Sequence, residues 1–176
     1  MKITVIGNGA SRAPIPLDKI SGITIGCNEV HRDFTPDYLC IIDHGITQRM
    51  YDSDYSAPIY YRHMTLKRLG LEPKENWHSP DFMNGQNTGN AAILLAKSLG
   101  ATDIDLLGFD GVVGSKLYMD TAQPNDKFDM WNEQLLWVCE GVNVRRVVYD
   151  KSAEMPFPTI TVENYIEELN ESNSNR

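Results

Sequence analysis

Short apolar runs rich in β-branched residues alternate with helical patterns along this chain, and that alternation constrains the fold more than any other feature. Several runs are apolar on both faces, as in Tyr38–Ile42, which is typical of strands covered by helices on both sides. We therefore predict an α/β three-layer fold with a mainly parallel sheet of about six strands. The predicted strands are Ile3–Ile6, Ile23–Cys27, Tyr38–Ile42, Pro58–Tyr61, Ile104–Phe109 and Val144–Tyr149.

Several segments between and after these runs have the spacing or the end signals of helices. In Lys127–Glu140, helical spacing predicts that Trp131 and Trp137 pack into the core, and a contact between two copies of the chain is the alternative. Gly111–Asp126 is predicted to be a long loop, and such loops in compact domains often bind ligands. The predicted helices are Glu29–Phe34, Ile46–Tyr51, Leu66–Leu69, Thr88–Leu99, Lys127–Glu140 and Thr161–Leu169.

Length and charge limit the classes of function. The 176 residues predict a single domain over 1–170 with a flexible tail over 171–176. With 24 acidic and 16 basic residues, the formal net charge is −8. This charge disfavours general binding to nucleic acid or to an anionic membrane surface, although local donors could still hold one nucleotide.

The cysteines and the N-terminus point to the same kind of protein. Cys27, Cys40 and Cys139 form no CxxC pair, so neither a zinc knuckle nor a disulfide framework is expected. Cys27 and Cys40 lie in apolar runs and are predicted to be buried thiols. The first apolar segment is too short for a signal peptide, and no run reaches a membrane span. We expect a soluble protein in the reducing cytoplasm.

Polar residues follow several predicted strands at their carboxyl ends, where open parallel sheets bind ligands. After the first strand, Gly7 and Gly9 allow a tight turn and a close backbone approach, and Asn8 and Ser11 can hydrogen-bond phosphate or ribose. An ordinary strand-to-loop turn is the alternative. The segment is neither GxGxxG, because Arg12 occupies the third glycine position, nor a Walker loop.

The start of the Thr88–Leu99 helix is a second candidate. Free N–H groups and the positive end of the helix dipole would suit an anion near Thr88, and simple capping is the alternative. Gly89 lies in the first turn, where glycine costs about 1 kcal/mol relative to alanine. We expect that something must approach it closely.

Two acids and one histidine are candidates for catalysis. Asp43 and Asp110 follow the third and fifth predicted strands and could bind Mg²⁺ or accept a proton, and capping of a loop is the alternative. His44 could act as a base or be a plain loop residue. The other histidines lack metal-ligand spacing, and no metal site is predicted from them.

Together these segments resemble known families. Gly7-Asn8-Gly9-Ala10-Ser11 is similar to the GNGPS signature, Cys27-Asn28 to a second-strand CN, and Pro36-Asp37-Tyr38 with Asp43 to "PDY…D". These motifs resemble the pterin pyrophosphokinase-like family, which includes motility accessory factors. Thr88-Gly89, the Leu99–Ile104 segment and Leu107-Gly108-Phe109-Asp110 look like "SG…LGA..I.LVG.D", a pattern shared with bacterial family 42 sialyltransferases. The resemblance covers about residues 3–121.

The resemblance implies a Rossmann-like fold that binds a nucleotide or a nucleotide sugar of the CMP type. The residues implied to touch the nucleotide are Asn8, Ser11, Asn28, Thr88, Gly89 and Tyr118, the last similar to a tyrosine that contacts phosphate. The sialyltransferases carry a catalytic histidine downstream, whereas this sequence has none after His78. Asp43, His44 or Asp110 would then serve as the base.

Three hypotheses follow. The first is a glycosyltransferase-like enzyme that uses a nucleotide-sugar donor. The second is diphosphate transfer from ATP to a small alcohol, with Asp43 and Asp110 holding Mg²⁺. The third is a nucleotide-binding module without catalysis, which the missing histidine favours. Fold resemblance alone does not separate them.

Overall fold

The computed structural model describes residues 1–112, 128–149 and 153–174 and contains one parallel sheet. Every recorded strand pair is parallel, so the predicted α/β class is confirmed. The strand order is β5-β4-β3-β2-β1-β6-β7-β8. The strands are β1 (Lys2–Ile6), β2 (Ile23–Cys27), β3 (Tyr38–Ile41), β4 (Ile59–Tyr61), β5 (Trp77–His78), β6 (Asp103–Leu107), β7 (Asn143–Val148) and β8 (Thr159–Thr161).

The strand order reverses between β1 and β6. The chain runs outward from β1 to β5 on one side and then returns to pair β6 with β1, in register from Lys2 opposite Asp103 to Ile6 opposite Leu107. In open parallel sheets, the loops that leave two such strands diverge and open a crevice at the carboxyl edge. The fold therefore predicts a ligand site after Ile6 and Leu107.

Helices cover both faces of the sheet. They are α1 (His44–Tyr51), α2 (His63–Leu69), α3 (Thr88–Ser98), α4 (Phe128–Val138) and α5 (Val162–Ser174). Side chains of α3 and α4, such as Ile93 and Leu135, join the core that contains Val5. Because alternate residues of a strand face opposite sides, Ile6 belongs instead to the core under α5, with Tyr165. The predicted three layers are present.

The structure extends or corrects several details of the sequence prediction. Two short strands, β5 and β8, bring the described sheet to eight strands instead of about six. The predicted Glu29–Phe34 helix is a 3-10 turn at Asn28–Arg32, and α5 continues to Ser174, into the predicted tail. Trp137 is 58% exposed, so the prediction that it packs into the core is wrong. Most of the predicted Gly111–Asp126 loop lies outside the described residues.

Other predictions are confirmed. Cys27 and Cys40 are buried free thiols, and burial raises the pKa of Cys27 from 9.0 to about 12. Among the described residues, none of the helices is long and apolar enough to cross a membrane.

Candidate functional site at the β1–β6 crevice

Two glycine-containing loops are joined edge to edge at the crevice. Gly7 donates its backbone N–H to Leu107 O at 2.7 Å, and Gly9 donates to Gly108 O at 2.9 Å. A Cβ on Gly7 would lie 2.6 Å from Gly108 O, and one on Gly9 would lie 2.6 Å from both Gly108 O and Asp110 Oδ2. Gly108 has a φ of +68°, in the left-handed region. Gly7, Gly9 and Gly108 must therefore be glycine, because a side chain at any of them would collide with the other loop.

The glycine in the first turn of α3 has a related explanation. A Cβ on Gly89 would lie 2.8 Å from Cε1 of Phe109. The group that must approach Gly89 closely is therefore the ring of Phe109, which packs the loop after β6 against the start of α3. Asn87 caps this helix, because its side-chain oxygen accepts from the backbone N–H of Asn90 at 2.9 Å.

Asp110 is the predicted acid that the fold brings into the crevice. It is 4% exposed, and its Oδ2 accepts from the backbone N–H of Ser11 at 3.1 Å. Ser11 is itself completely buried, so its backbone contacts the predicted acid while its hydroxyl lies beneath the surface. The two predicted loops are therefore linked by a side chain as well as by backbone contacts.

A buried arginine holds the loop that carries Asp110. Arg146 on β7 is 1% exposed and donates to Phe109 O at 2.6 Å and to Ala153 O at 2.8 Å. Burial lowers the pKa of Arg146, and the nearby charge of Asp110 opposes that change. Asp110 O also accepts from the backbone N–H of Ala153 at 2.8 Å. Sequence analysis missed Arg146, because an arginine in an apolar strand gives no sign of what its side chain will contact.

A cavity of about 150 Å³ lies between these loops and the helices α3 and α4. Amide side chains, two aromatic rings and one carboxylate supply most of its lining, and none of the described lining residues is Lys or Arg. Asp110 and the residues of the first loop are predicted ligand contacts, whereas the residues of α4 are not, since nothing in a helical pattern shows where the helix docks. The lining residues are Asn8, Gly9, Asn87, Asn90, Gly108, Phe109, Asp110, Gly111, Trp131, Asn132 and Leu135.

A second group of predicted residues lies after β2 and β3. Asn28 has a φ of +47°, the one positive φ among the described non-glycine residues, and asparagine tolerates this conformation better than most residues. Its Nδ2 donates to Asp43 Oδ2 at 3.2 Å, and its Oδ1 accepts from the Thr88 hydroxyl at 3.3 Å. Asn8 connects this group to the first loop by donating to Cys27 O at 3.1 Å.

The remaining predicted residues are placed as follows. Asp43 is exposed at the position before α1, and His44 is the exposed first residue of that helix. Tyr118 lies outside the described residues. Asp43 accepts from Asn28, whereas Asp110 accepts from the backbone N–H of Ser11. Within the ranges that the structure describes, no group of three or more His, Cys, Asp or Glu side chains could hold a metal ion.

Comparison with known proteins finds similarity in structure. No protein-family model matches this chain, and no curated protein matches it in sequence. Among solved structures, the sialyltransferase CstII in complex with a trisaccharide acceptor and CMP has a TM-score of 0.58 at 14% identity, over 83% of this chain and 80% of that one. The monofunctional α-2,3-sialyltransferase Cst-I from Campylobacter jejuni has a TM-score of 0.56 at 13% identity, over 99% of this chain and 95% of that one.

These matches show that the chain shares the fold of the two sialyltransferases. They agree with the resemblance to family 42 sialyltransferases that the sequence motifs suggest. The comparisons give no support to the resemblance to pterin pyrophosphokinases and motility accessory factors.

Proposed function

We propose that this protein is a nucleotide-binding, glycosyltransferase-like enzyme whose donor is a nucleotide sugar of the CMP type. The observation that carries the proposal is the cavity at the point where the strand order reverses, built by the loops after β1 and β6 and by the start of α3. Ligands of open parallel sheets bind at this point. The sialyltransferase CstII, which shares the fold, and two of its variants were solved in complex with CMP, which makes CMP the first ligand to test.

The chemistry of the cavity suits the nucleoside part of such a donor. Phe109 and Trp131 offer flat apolar surface, and the amides of Asn8, Asn90 and Asn132 offer hydrogen bonds to an uncharged ring. An anion in the cavity would instead lie beside the Asp110 carboxylate, and none of the described lining residues is Lys or Arg.

The start of α3 suits the phosphate. Its first turn contributes backbone N–H groups and the positive end of the helix dipole, which together stabilise a negative charge. Thr88 begins this helix, and its hydroxyl donates to Asn28. The two residues, both predicted to contact the nucleotide, therefore lie next to each other. Donors that are already oriented would stabilise the charge that grows on a departing nucleotide phosphate. Tyr118 stays a predicted further contact.

In the transfer step, the acceptor hydroxyl oxygen bonds to the anomeric carbon as the bond between that carbon and the phosphate oxygen breaks. The acceptor proton then passes to a base. Asp110 lines the cavity, whereas Asp43 and His44 lie on the exposed side of Asn28. We propose Asp110 as the first candidate and Asp43 or His44 as the base if the acceptor binds on the outer side.

A calorimetric titration with CMP, UDP, GDP and ATP, each with and without Mg²⁺, tests this function. We expect CMP to bind without a metal requirement. Gly9→Val should abolish binding, because its side chain would occupy the place of Asp110 Oδ2. Gly45→Ala is the matched control, since the nearest atom to its Cβ would be Arg49 Nη1 at 3.6 Å.

Other outcomes would replace the proposal. ATP binding that requires Mg²⁺ would favour diphosphate transfer. Metal-independent CMP binding without turnover of any CMP-sugar would favour a binding module. Failure of all four nucleotides to bind would show that the loop after β1 is an ordinary turn.

A further inference from the structure

The segment that leads from β5 into α3 has few backbone contacts of its own. A 3-10 turn at Asp81–Met83 is followed by Gly85, whose φ is +76°, and then by Asn87, the residue before α3. Within the described ranges, neither Gly85 nor Gln86 takes part in a hydrogen bond between two backbone groups. Backbone pairing alone therefore does not fix the direction in which the chain enters α3.

An arginine from another element contacts this segment. Arg62 is half-buried at the position before α2, and its Nη2 donates to Gln86 O at 2.5 Å while its Nε makes a longer contact of 3.5 Å with Met83 O. One planar guanidinium thus holds two carbonyls of the segment, which suits the fork of donors that arginine offers. The helix behind it is fixed as well, because the Thr65 hydroxyl donates to Ile42 O, directly after β3, at 2.8 Å.

The residue after Gln86 belongs to the candidate site. Asn87 lines the cavity and takes up two N–H groups of α3, since its Oδ1 accepts from Asn90 at 2.9 Å and its backbone O accepts from Ala91 at 3.0 Å. Gln86 is bonded directly to Asn87, so a shift of Gln86 also moves this cap. The contacts of Arg62 therefore govern the orientation of the first turn of α3.

That first turn retains donors for a ligand. No described residue accepts from the backbone N–H of Thr88 or of Gly89, as is usual for the first N–H groups of a helix. Donors of this kind stabilise a negative charge best when their orientation is fixed before the ligand arrives. No sequence motif includes Arg62, because its contact with Gln86 joins segments 24 residues apart.

We propose that Arg62 is a positioning residue for the phosphate of the nucleotide, because it holds the entry to α3 and so orients the N–H groups of the first turn. The inference rests on the proposed function and deepens it by naming a residue outside the cavity that governs one part of the ligand. Most of the cavity lining comes from the loops after β1 and β6 and from α4. The nucleoside part should therefore bind independently of Arg62.

The experiment compares the affinities for CMP and for cytidine, which differ by the phosphate, in calorimetric displacement titrations. We expect the unaltered protein to bind CMP about ten times or more as tightly as cytidine, because hydrogen bonds to a charged group are strong. Arg62→Met should bring the CMP affinity to within about threefold of the cytidine affinity, which itself should change by less than about twofold. Arg68→Met is the matched control, since it removes the same charge from an exposed position of α2 and should change neither affinity.

Arg62→Lys separates positioning from charge. Lysine keeps the positive charge but lacks the planar fork that holds two carbonyls, so CMP affinity should stay at least about threefold below that of the unaltered protein. Full recovery of CMP affinity with lysine would show that the charge matters and not the held backbone, which would overturn the positioning role. Cytidine binding reports that the cavity is still folded, and Arg62→Lys carries the comparison if Arg62→Met has lost it.

The other outcomes separate the two proposals. Failure of the unaltered protein to bind either CMP or cytidine would overturn both. Equal affinity for CMP and cytidine would overturn the inference about Arg62 and leave binding of the nucleoside part standing. An equal loss of CMP and cytidine affinity in Arg62→Met, or the same loss of CMP affinity in Arg68→Met, would overturn the inference alone.

Discussion

Asp105 and Asp110 are both buried carboxylates on the same strand-and-loop segment, yet their surroundings differ. Asp105 lies under α5, where Arg145 contacts it with two nitrogens at 3.0 Å each and Lys2 contacts it at 2.8 Å. Asp110 lies at the crevice, where its Oδ2 accepts from the backbone N–H of Ser11. The first site pairs a buried carboxylate with two partly exposed cations, whereas the second places a buried carboxylate in the lining of a cavity.

The two adjacent arginines of β7 repeat this difference. Arg145 faces α5, where hydrogen bonding to Asp105 raises its pKa and its guanidinium lies over the Tyr165 ring. Arg146 faces the other side and holds the backbone of the site loop. Alternation along a strand has therefore placed one arginine in a stabilising network and the next one behind the candidate site.

The largest effect is expected from Asp105→Ala. Removing this carboxylate takes away the acceptor that holds Arg145 and Lys2, and hydrogen bonds to a charged group contribute up to about 3 kcal/mol of unfolding free energy. The measurement is urea unfolding at neutral pH. CMP affinity should not change, because Asp105 lies on the opposite face of the sheet from the cavity.

Asp103→Ala is the control for that experiment. Asp103 is an exposed acid on the same strand, and we expect its substitution to change stability much less than Asp105→Ala does, because water solvates an exposed carboxylate. A loss from Asp103→Ala as large as that from Asp105→Ala would show that burial of Asp105 is not the cause.

Replacing the two adjacent arginines of β7 one at a time should separate an effect on stability from an effect on ligand binding. Arg146→Met leaves the carbonyls of Phe109 and Ala153 without their donor, and we expect a loss of about 2 kcal/mol in stability. It should also weaken CMP at least about tenfold, because the loop that presents Asp110 is no longer fixed. The measurements are urea unfolding and calorimetry.

Arg145→Met is the matched substitution, since it removes the neighbouring arginine from the opposite face. It should lower stability and leave CMP affinity within about twofold, because distant sites act independently. Equal losses of affinity in the two variants would contradict the division of roles between the two faces.

The sequence predicted the parallel sheet well, for a physical reason. Runs that are apolar on both faces, such as Leu39–Ile42, need cover on both sides, and parallel connections put all carboxyl ends at one edge. The two-residue strand Trp77–His78 and the three-residue strand Thr159–Thr161 were missed because runs so short show no periodicity.

The site was predicted only in part, because a motif shows which residues are present and not what they touch. Gly89 was expected to admit a close approach, and the structure assigns that approach to the Phe109 ring. Trp137 fits the apolar pattern of its helix but is exposed, since the position of α4 on the sheet decides which face is buried. Asn132 and Arg146 became candidates only when tertiary contacts placed them at the site loop.

Alkaline pH should lower the stability of the protein by a smaller amount, through a cysteine and not through either carboxylate. Burial raises the pKa of Cys27 from 9.0 to about 12. Above pH 9 the unfolded chain loses this thiol proton while the folded chain keeps it, so stability falls as the pH rises from 9 towards 12. By pH 10 the loss should be about 1 kcal/mol. Unfolding at pH 8 and pH 10 measures it, and Cys27→Ala should remove that part of the slope.

The smallest effect is expected from Glu168→Ala, which tests how far the network under α5 extends. Glu168 contacts Arg145 at 2.9 Å, but its side chain is 48% exposed and water competes for the same charge. We expect a loss of at most about 0.5 kcal/mol, falling towards zero in 1 M salt because exposed pairs are screened. The loss from Asp105→Ala should persist in the same salt. A loss of more than about 1.5 kcal/mol from Glu168→Ala that persists in 1 M salt would contradict this expectation. Glu168 would then stabilise the fold together with Asp105 and Arg145, and the network would extend to the surface of α5.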